Sequence, residues 1–242
     1  MNEKVRAVMR KELREYRRNK LVVTSMAALP TLFFVLPLVT VVELNAGTPA
    51  TTLKGAVGSA MLWLLLMPLL LPTIVAGYAV VGERDQGTLE PVLTTPVRKE
   101  ELLVGKALAV CVPTVSVAYA LYAVFLLVVR LAAAHDVVTL VWTPAEIIAL
   151  AVFAPLLATF SIWVGLAISV RSSDVRVAQQ LSALAVLPMI GVIALFTFRV
   201  ISPSVLVAVT GAILVALIDL GAWRLVSRMF DSERLLTRYG RS

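Results

Sequence analysis

Six stretches of this chain are each long and apolar enough to cross a bilayer: 21–42, 55–81, 107–129, 147–170, 177–198 and 203–223. A membrane helix needs about 20 mostly apolar residues. In hydrocarbon, only helices and closed barrels satisfy their own backbone groups. Runs of this length are far longer than barrel strands, so the pattern predicts an all-α, polytopic membrane protein with six transmembrane helices. The last two runs are parted only by residues 199–202, so a broken helix around Pro188 is an alternative reading of that region.

Composition agrees. The chain is 60% hydrophobic and 15% charged, against about 45–50% and about 25% in soluble domains. The net charge of +7 does not read as nucleic-acid binding, because the basic residues flank the apolar runs. That placement is a topology signal. Of the 22 lysines and arginines, only Lys54, Arg130 and Arg199 fall in the connectors after the first, third and fifth runs. The positive-inside rule therefore places both termini and the connector 82–106 in the cytoplasm, with the plasma membrane as the expected location. Residues 1–20 are too charged for a signal peptide. Val5, Val8, Met9, Leu13 and Tyr16 share one helical arc there, with Lys and Arg opposite. This is the pattern of an amphipathic helix lying in the headgroup plane. The whole chain, 1–242, is expected to form a single membrane domain.

The visible chemistry is sparse. Gly105-Lys106 lacks the preceding glycine of a phosphate-binding loop, since Glu100 stands there, and alanine follows it. No HExxH or GxSxG motif occurs, and His135 beside Asp136 reads as a solvated loop residue. The single cysteine, Cys111, reads as an apolar packer. No catalytic residue, metal site or cofactor is expected, and the protein is expected not to be an enzyme. Asp219 reads as an interfacial charge near the end of the last run rather than as a proton carrier. Ser161, Gly165 and Ser169 recur every four residues, a spacing that lets helices pack closely or arises by chance.

The connector 82–106 is different. Nine of its 25 residues are charged, and it is long enough to fold. Thr88 is placed to cap a short helix with Pro91 in its first turn, and Leu89, Val92 and Leu93 share a face. Thr95-Pro96 reads as the start of a second helix, with Glu100 and Glu101 near its N-terminus. An apolar face at the membrane surface calls for a partner, with Glu83 and Glu90 as polar anchors.

Glu83-Arg84-Asp85-Gln86-Gly87-Thr88-Leu89-Glu90, followed by Thr95-Pro96 and Gly105-Lys106, resembles the cytoplasmic loop signature of type-2 ABC transporter permeases. The segment 171–180, RSSDVRVAQQ, is also similar to that family, while Pro91 departs from its usual pattern. The resemblance implies a membrane permease, by preference an exporter, that pairs with a second permease copy as a homo- or heterodimer. It further implies two copies of a separate cytoplasmic ABC ATPase, which drive the spans through a coupling helix between spans two and three. Gly87, Thr88, Leu89, Glu90, Val92, Leu93 and Pro96, with Glu83, would form that coupling element. The competing classes are a secondary transporter or channel, which would carry ionisable groups at mid-membrane, and a membrane-embedded scaffold or enzyme. The substrate and the presence of outer re-entrant helices near 188–203 stay open.

The charge asymmetry makes a direct prediction. On a Cys111-free background, a cysteine at position 86 should resist an impermeant thiol reagent applied outside intact cells, and one at position 136 should react. The opposite pattern would invert the topology.

Overall fold

The computed structural model describes residues 2–45, 47–85, 98–198, 200 and 204–229, excluding the side chains of residues 21, 22, 25, 78, 84 and 85. Among these residues the chain is helical, with no strand. The helices are α1 (Glu3–Arg18), α2 (Lys20–Val42), α3 (Ala50–Tyr78), α4 (Val81–Asp85), α5 (Lys99–Ala132), α6 (His135–Val141), α7 (Pro144–Arg171), α8 (Val175–Ala185), α9 (Leu187–Thr197) and α10 (Val205–Met229). The apolar loop helix expected after Thr88, and Gly87, Thr88, Leu89, Glu90, Val92, Leu93 and Pro96 with it, lie outside the described residues.

Five segments among the described residues have the length and apolarity to cross a membrane: Ala50–Glu83, Lys99–Ala132, Pro144–Arg171, Val175–Thr197 and Val205–Met229. The first apolar run forms α2, and within it the apolar stretch Met26–Val42 is shorter than these five. The fifth run is one apolar segment made of two helices. It breaks at Val186, and Pro188 stands in the first turn of α9. A proline there costs no intrahelical bond, because the first turn has no acceptor for that N–H. The segment around His135, expected as loop, is instead the short helix α6. It buries Val137, Val138 and Val141 and leaves His135 and Asp136 exposed.

α3 is the axis of the bundle. Its apolar window is 88% buried, against 11% for that of α10. It packs most extensively on α7, then on α2, with α5 and α8 completing its surroundings. α10 leans on α7 and turns Leu206, Ile213, Leu214, Leu217 and Leu225 outward. In water such a surface would aggregate; in lipid it is the expected exterior.

The prolines inside these helices create an accounting problem that the fold solves locally at Pro68 and Pro155. A helix-interior proline has no N–H, so the carbonyl four residues earlier loses its partner. In lipid no water replaces it. Pro68 frees the carbonyl of Leu64, and the buried Tyr122 hydroxyl of α5 donates to that oxygen at 2.8 Å. Pro155 frees the carbonyl of Ala151, and the Tyr119 hydroxyl donates to it at 2.6 Å. Tyr119 and Tyr122 are one turn apart on α5, with ring centroids 6.5 Å apart in an edge-to-face arrangement. One helix thus answers a proline-freed carbonyl in each of two neighbours, α3 and α7.

Removing one such repair should be measurable. Tyr122→Phe keeps the ring and leaves the Leu64 carbonyl buried without its partner. The expected cost is about 1 kcal/mol, read as a lower thermal unfolding midpoint of the protein in detergent. A midpoint unchanged from wild type would show that the bond adds nothing.

Candidate functional site

The helix α1 begins with Asn2, whose side-chain oxygen caps the N–H of Lys4, and ends with Arg17 and Arg18 in its last turn. Its apolar arc does not face open headgroups. Val5 and Tyr16 are buried, and Val8, Met9 and Leu13 pack into the core formed with α3, α5 and α7. The closest approach is at Gly105 of α5. A Cβ there would stand 2.5 Å from Val8 Cγ1 and 3.3 Å from the Val5 carbonyl. Only glycine lets α1 lie this close, so the Gly105-Lys106 pair that fails as a phosphate loop has a packing role instead.

Lys106 is the centre of the site. Its side chain is fully buried, and its ammonium meets Glu12 Oε1 of α1 at 2.9 Å, Glu83 Oε1 of α4 at 2.8 Å and the Ala79 carbonyl at 3.1 Å. An ammonium has three protons to donate, and three acceptors surround it. A buried charge is tolerated only when paired and hydrogen-bonded in this way. Lys11 completes the cluster from the solvent side, 2.7 Å from Glu83 Oε1, 3.0 Å from Glu15 and 3.4 Å from Glu12. Glu12, Glu15 and Glu83 bring one carboxylate oxygen each within 4.8 Å of one another. Two ammonium groups already answer that charge, which argues against a cation site. A cavity of about 340 Å³ opens beside them, lined by Glu12, Glu15, Tyr16, Arg18, Asn19, Ala79 and Glu83.

The electrostatics follow from burial against charge. For Glu12, burial favours the neutral acid, but Lys106 and Lys11 outweigh it and hold the carboxyl below its ordinary range. For Lys11, partial burial favours the neutral amine, but Glu12 and Glu83 outweigh it and raise the ammonium above its ordinary range. Tyr16 is raised chiefly by burial and then by the neighbouring Glu12, so its phenol stays neutral. The Glu12 contribution to stability is present above the unfolded carboxylate value of about 4.3 and is lost as pH falls through the lower folded value. The Lys11 contribution is present below about 10.4 and lost as pH rises through its higher folded value.

Both ends of the connector 86–97 are tied to α1. On one side Glu83 meets Lys106 and Lys11. On the other, the Arg98 N–H donates to Glu101 Oε2 at 3.0 Å, and Glu101 also meets the Asn2 side chain and, at 4.0 Å, Lys4. The helix carrying Glu100 and Glu101 starts at Lys99 with Arg98 as its cap residue; Thr95 and Pro96, where a start was expected, lie outside the described residues. The physical reason is that Glu101 reaches back to the Arg98 N–H and fixes the first turn there.

The small residues of α7 lie along α3. Ser161 is buried and donates to the Leu157 carbonyl at 2.9 Å. Gly165 faces Ala76 and Gly77, where an added Cβ would stand 2.7 Å from Ala76 Cβ. Ser169 Oγ accepts from the N–H groups of Val80 and Val81, at 3.0 and 3.1 Å. Those groups sit at the break between α3 and α4, so Ser169 holds the short helix that carries Glu83.

Glu12, Lys11 and the role of Lys106 do not emerge from motif reading. The available signal was an acid inside the apolar arc of α1, since Glu12 falls between Met9 and Tyr16 on the same face. A lone lysine at the head of the third apolar run was its counterpart.

A sequence profile of the family described as ABC-2 family transporter protein matches residues 8–175. A search of curated proteins found no match. The matched segment contains Glu12, Glu83, Lys106 and the α7 stripe.

Lys106→Met would leave the Glu12 and Glu83 carboxylates buried without their shared cation. The expected loss is about 3–5 kcal/mol, seen as a large drop in thermal stability in detergent and faster proteolysis within α1. Adding Glu12→Leu and Glu83→Leu should restore part of it. Wild type should hold the α1 contact from pH 5 to 8 and release it only in acid; release near neutral pH would overturn the assignment of Glu12.

Proposed function

Since the chain belongs to the ABC-2 transporter family, we propose that it is the membrane permease subunit of an ATP-driven exporter, with hydrolysis on a separate cytoplasmic ABC ATPase. Six spans in one domain, both termini and the connector 82–106 in the cytoplasm, and a plasma-membrane location complete the reading. α2 supplies the sixth span. The assembly is two permease copies with two ATPase copies.

One observation carries the coupling role. The connector 86–97 is rooted at both ends on α1, through Glu83 to Lys11 and Lys106 and through Glu101 to Asn2 and Lys4. Force applied to the connector would be delivered to α3, through α4, and to α5 together. It would also reach α1, which runs on into α2. An ATPase that grips the connector would thereby hold the roots of three long helices at one point. Leu89, Val92 and Leu93 supply the apolar contact, with Glu90 at its edge and Gly87, Thr88 and Pro96 shaping the turns. Glu83 acts from the inner side, anchoring the connector to the bundle. Ser161, Gly165 and Ser169 keep α7 against α3 so that the two move as a unit. Coupling by this route needs no nucleotide site on the chain itself, in keeping with the failed phosphate-loop pattern at Gly105-Lys106.

Truncation of Leu89 and Leu93 to Ala removes apolar contacts worth roughly 2–5 kcal/mol each in a packed site. The double variant should insert and remain folded but lose co-purifying ATPase, or keep it without transport. A full ATPase complement together with normal transport would exclude the connector as the coupling element.

A further inference from the structure

Two faces of α1 are used inside the protein. Val5, Met9, Leu13 and Tyr16 pack into the bundle. About a third of a turn round the helix, Lys4 meets Glu101 and Lys11 meets Glu83, at the two roots of the connector. A third face remains. It carries Arg6, Arg10, Arg14 and Arg17, whose spacings of four, four and three residues line them up along one side. All four are exposed. Among the described residues none of them makes an ion pair or a hydrogen bond through its side chain. Glu3, also exposed, is the one carboxylate on that side. The next arginine, Arg18, turns away and lines the cavity with Glu12, Glu15 and Glu83.

Like charges at this spacing repel one another, so the face gains from an anion outside the chain. The position of α1 indicates which anion. Asn19 alone joins it to the apolar helix α2. It packs on α5 at Gly105 and Lys106, immediately before the apolar run 107–129. Both contacts hold the stripe at the level of lipid headgroups rather than out in the cytosol. A guanidinium is a planar fork that matches phosphate oxygens two at a time.

We propose that Arg6, Arg10, Arg14 and Arg17 form a docking surface for the phosphates of anionic phospholipids in the leaflet beside α1. The bilayer is then the third support of this helix, with the bundle and the connector roots as the other two. Lipid that fixes α1 also fixes the ground on which both ends of the connector stand. That consequence for transport rests on the reading of the connector as the coupling element; the lipid surface itself does not.

The test uses the full chain in uncharged maltoside micelles at low salt, without ATPase or nucleotide, so its outcome is independent of coupling. The thermal unfolding midpoint is followed against added dioleoylphosphatidylglycerol, with dioleoylphosphatidylcholine as the zwitterionic control. The first should raise the midpoint saturably and the second should not. Glycerol phosphate should have no effect; an equal rise with it would assign the arginines to free phosphate and overturn the lipid surface. Each arginine near a membrane surface is worth roughly fivefold in lipid affinity. Arg10→Gln with Arg14→Gln should therefore raise the half-saturating phosphatidylglycerol by about twentyfold, and the two lysine replacements should keep most of the response. Arg224→Gln with Arg228→Gln, an exposed basic pair at the end of α10, should leave it unchanged. Equal responses to the two lipids would overturn the proposal, as would a response that survives the α1 glutamines or an equal loss in the α10 pair. Salt at about 0.5 M should suppress the wild-type response. A response undiminished by salt would also overturn the proposal, and this comparison needs no variant to fold.

Discussion

No water reaches the interior of a bilayer, so every backbone group and every charge placed there must be answered by the protein itself. This constraint organises the bundle. It explains why α5 carries two tyrosines one turn apart, each donating to a carbonyl freed by a proline in a neighbouring helix. The prolines permit bends, and the tyrosines stop those bends from exposing polar backbone. It also explains Ser169, whose hydroxyl receives the two N–H groups opened by the break between α3 and α4. Flexibility at those breaks therefore comes with a defined partner, and the short helix α4 is aimed rather than loose.

The same rule governs the charged cluster. A lysine as deeply buried as Lys106 could not persist as a cation with one partner; it has two carboxylates and a carbonyl. Each acceptor comes from a different part of the chain: α1, α4 and the end of α3. A bond of this kind is a weak source of net stability, because desolvation offsets much of the attraction. Its effect is on geometry. Only one relative placement of these segments answers all three protons, so the cluster specifies where the amphipathic helix sits. Gly105, one residue before, removes the side chain that would hold α1 away. The rule has exceptions: among the described residues the carboxylate oxygens of Asp219 and the Thr114 hydroxyl are buried without a hydrogen-bond partner.

Length and hydropathy were enough to predict the long apolar helices but not the short α6, and five of the six runs have the length and apolarity to cross a membrane. The positions of the apolar runs match α2, α3, α5, α7, the α8–α9 pair and α10, because a twenty-residue apolar run in lipid has almost no alternative conformation. The amphipathic arc of α1 was legible for the same kind of reason, a period of 3.6 residues. Periodicity names the buried face of a helix but not what buries it. For α1 the cover is largely the protein core, with Gly105 setting the approach. The helix ends were less legible. α10 runs on past Trp223 to Met229, and Glu101 sets the start of α5 at Lys99.

What the sequence by itself determined is the class of protein: helical, membrane-embedded, basic on one set of connectors, with a charged connector resembling that of type-2 ABC permeases. These follow from local properties that each segment carries alone, its length, apolarity and charge. What only the tertiary structure decided is the pairing of groups far apart in the chain. Lys106 with Glu12 and Glu83, and Tyr122 with the Leu64 carbonyl freed by Pro68, depend on which helix faces which. Those choices are set by packing summed over the whole bundle, and no local pattern of residues encodes them.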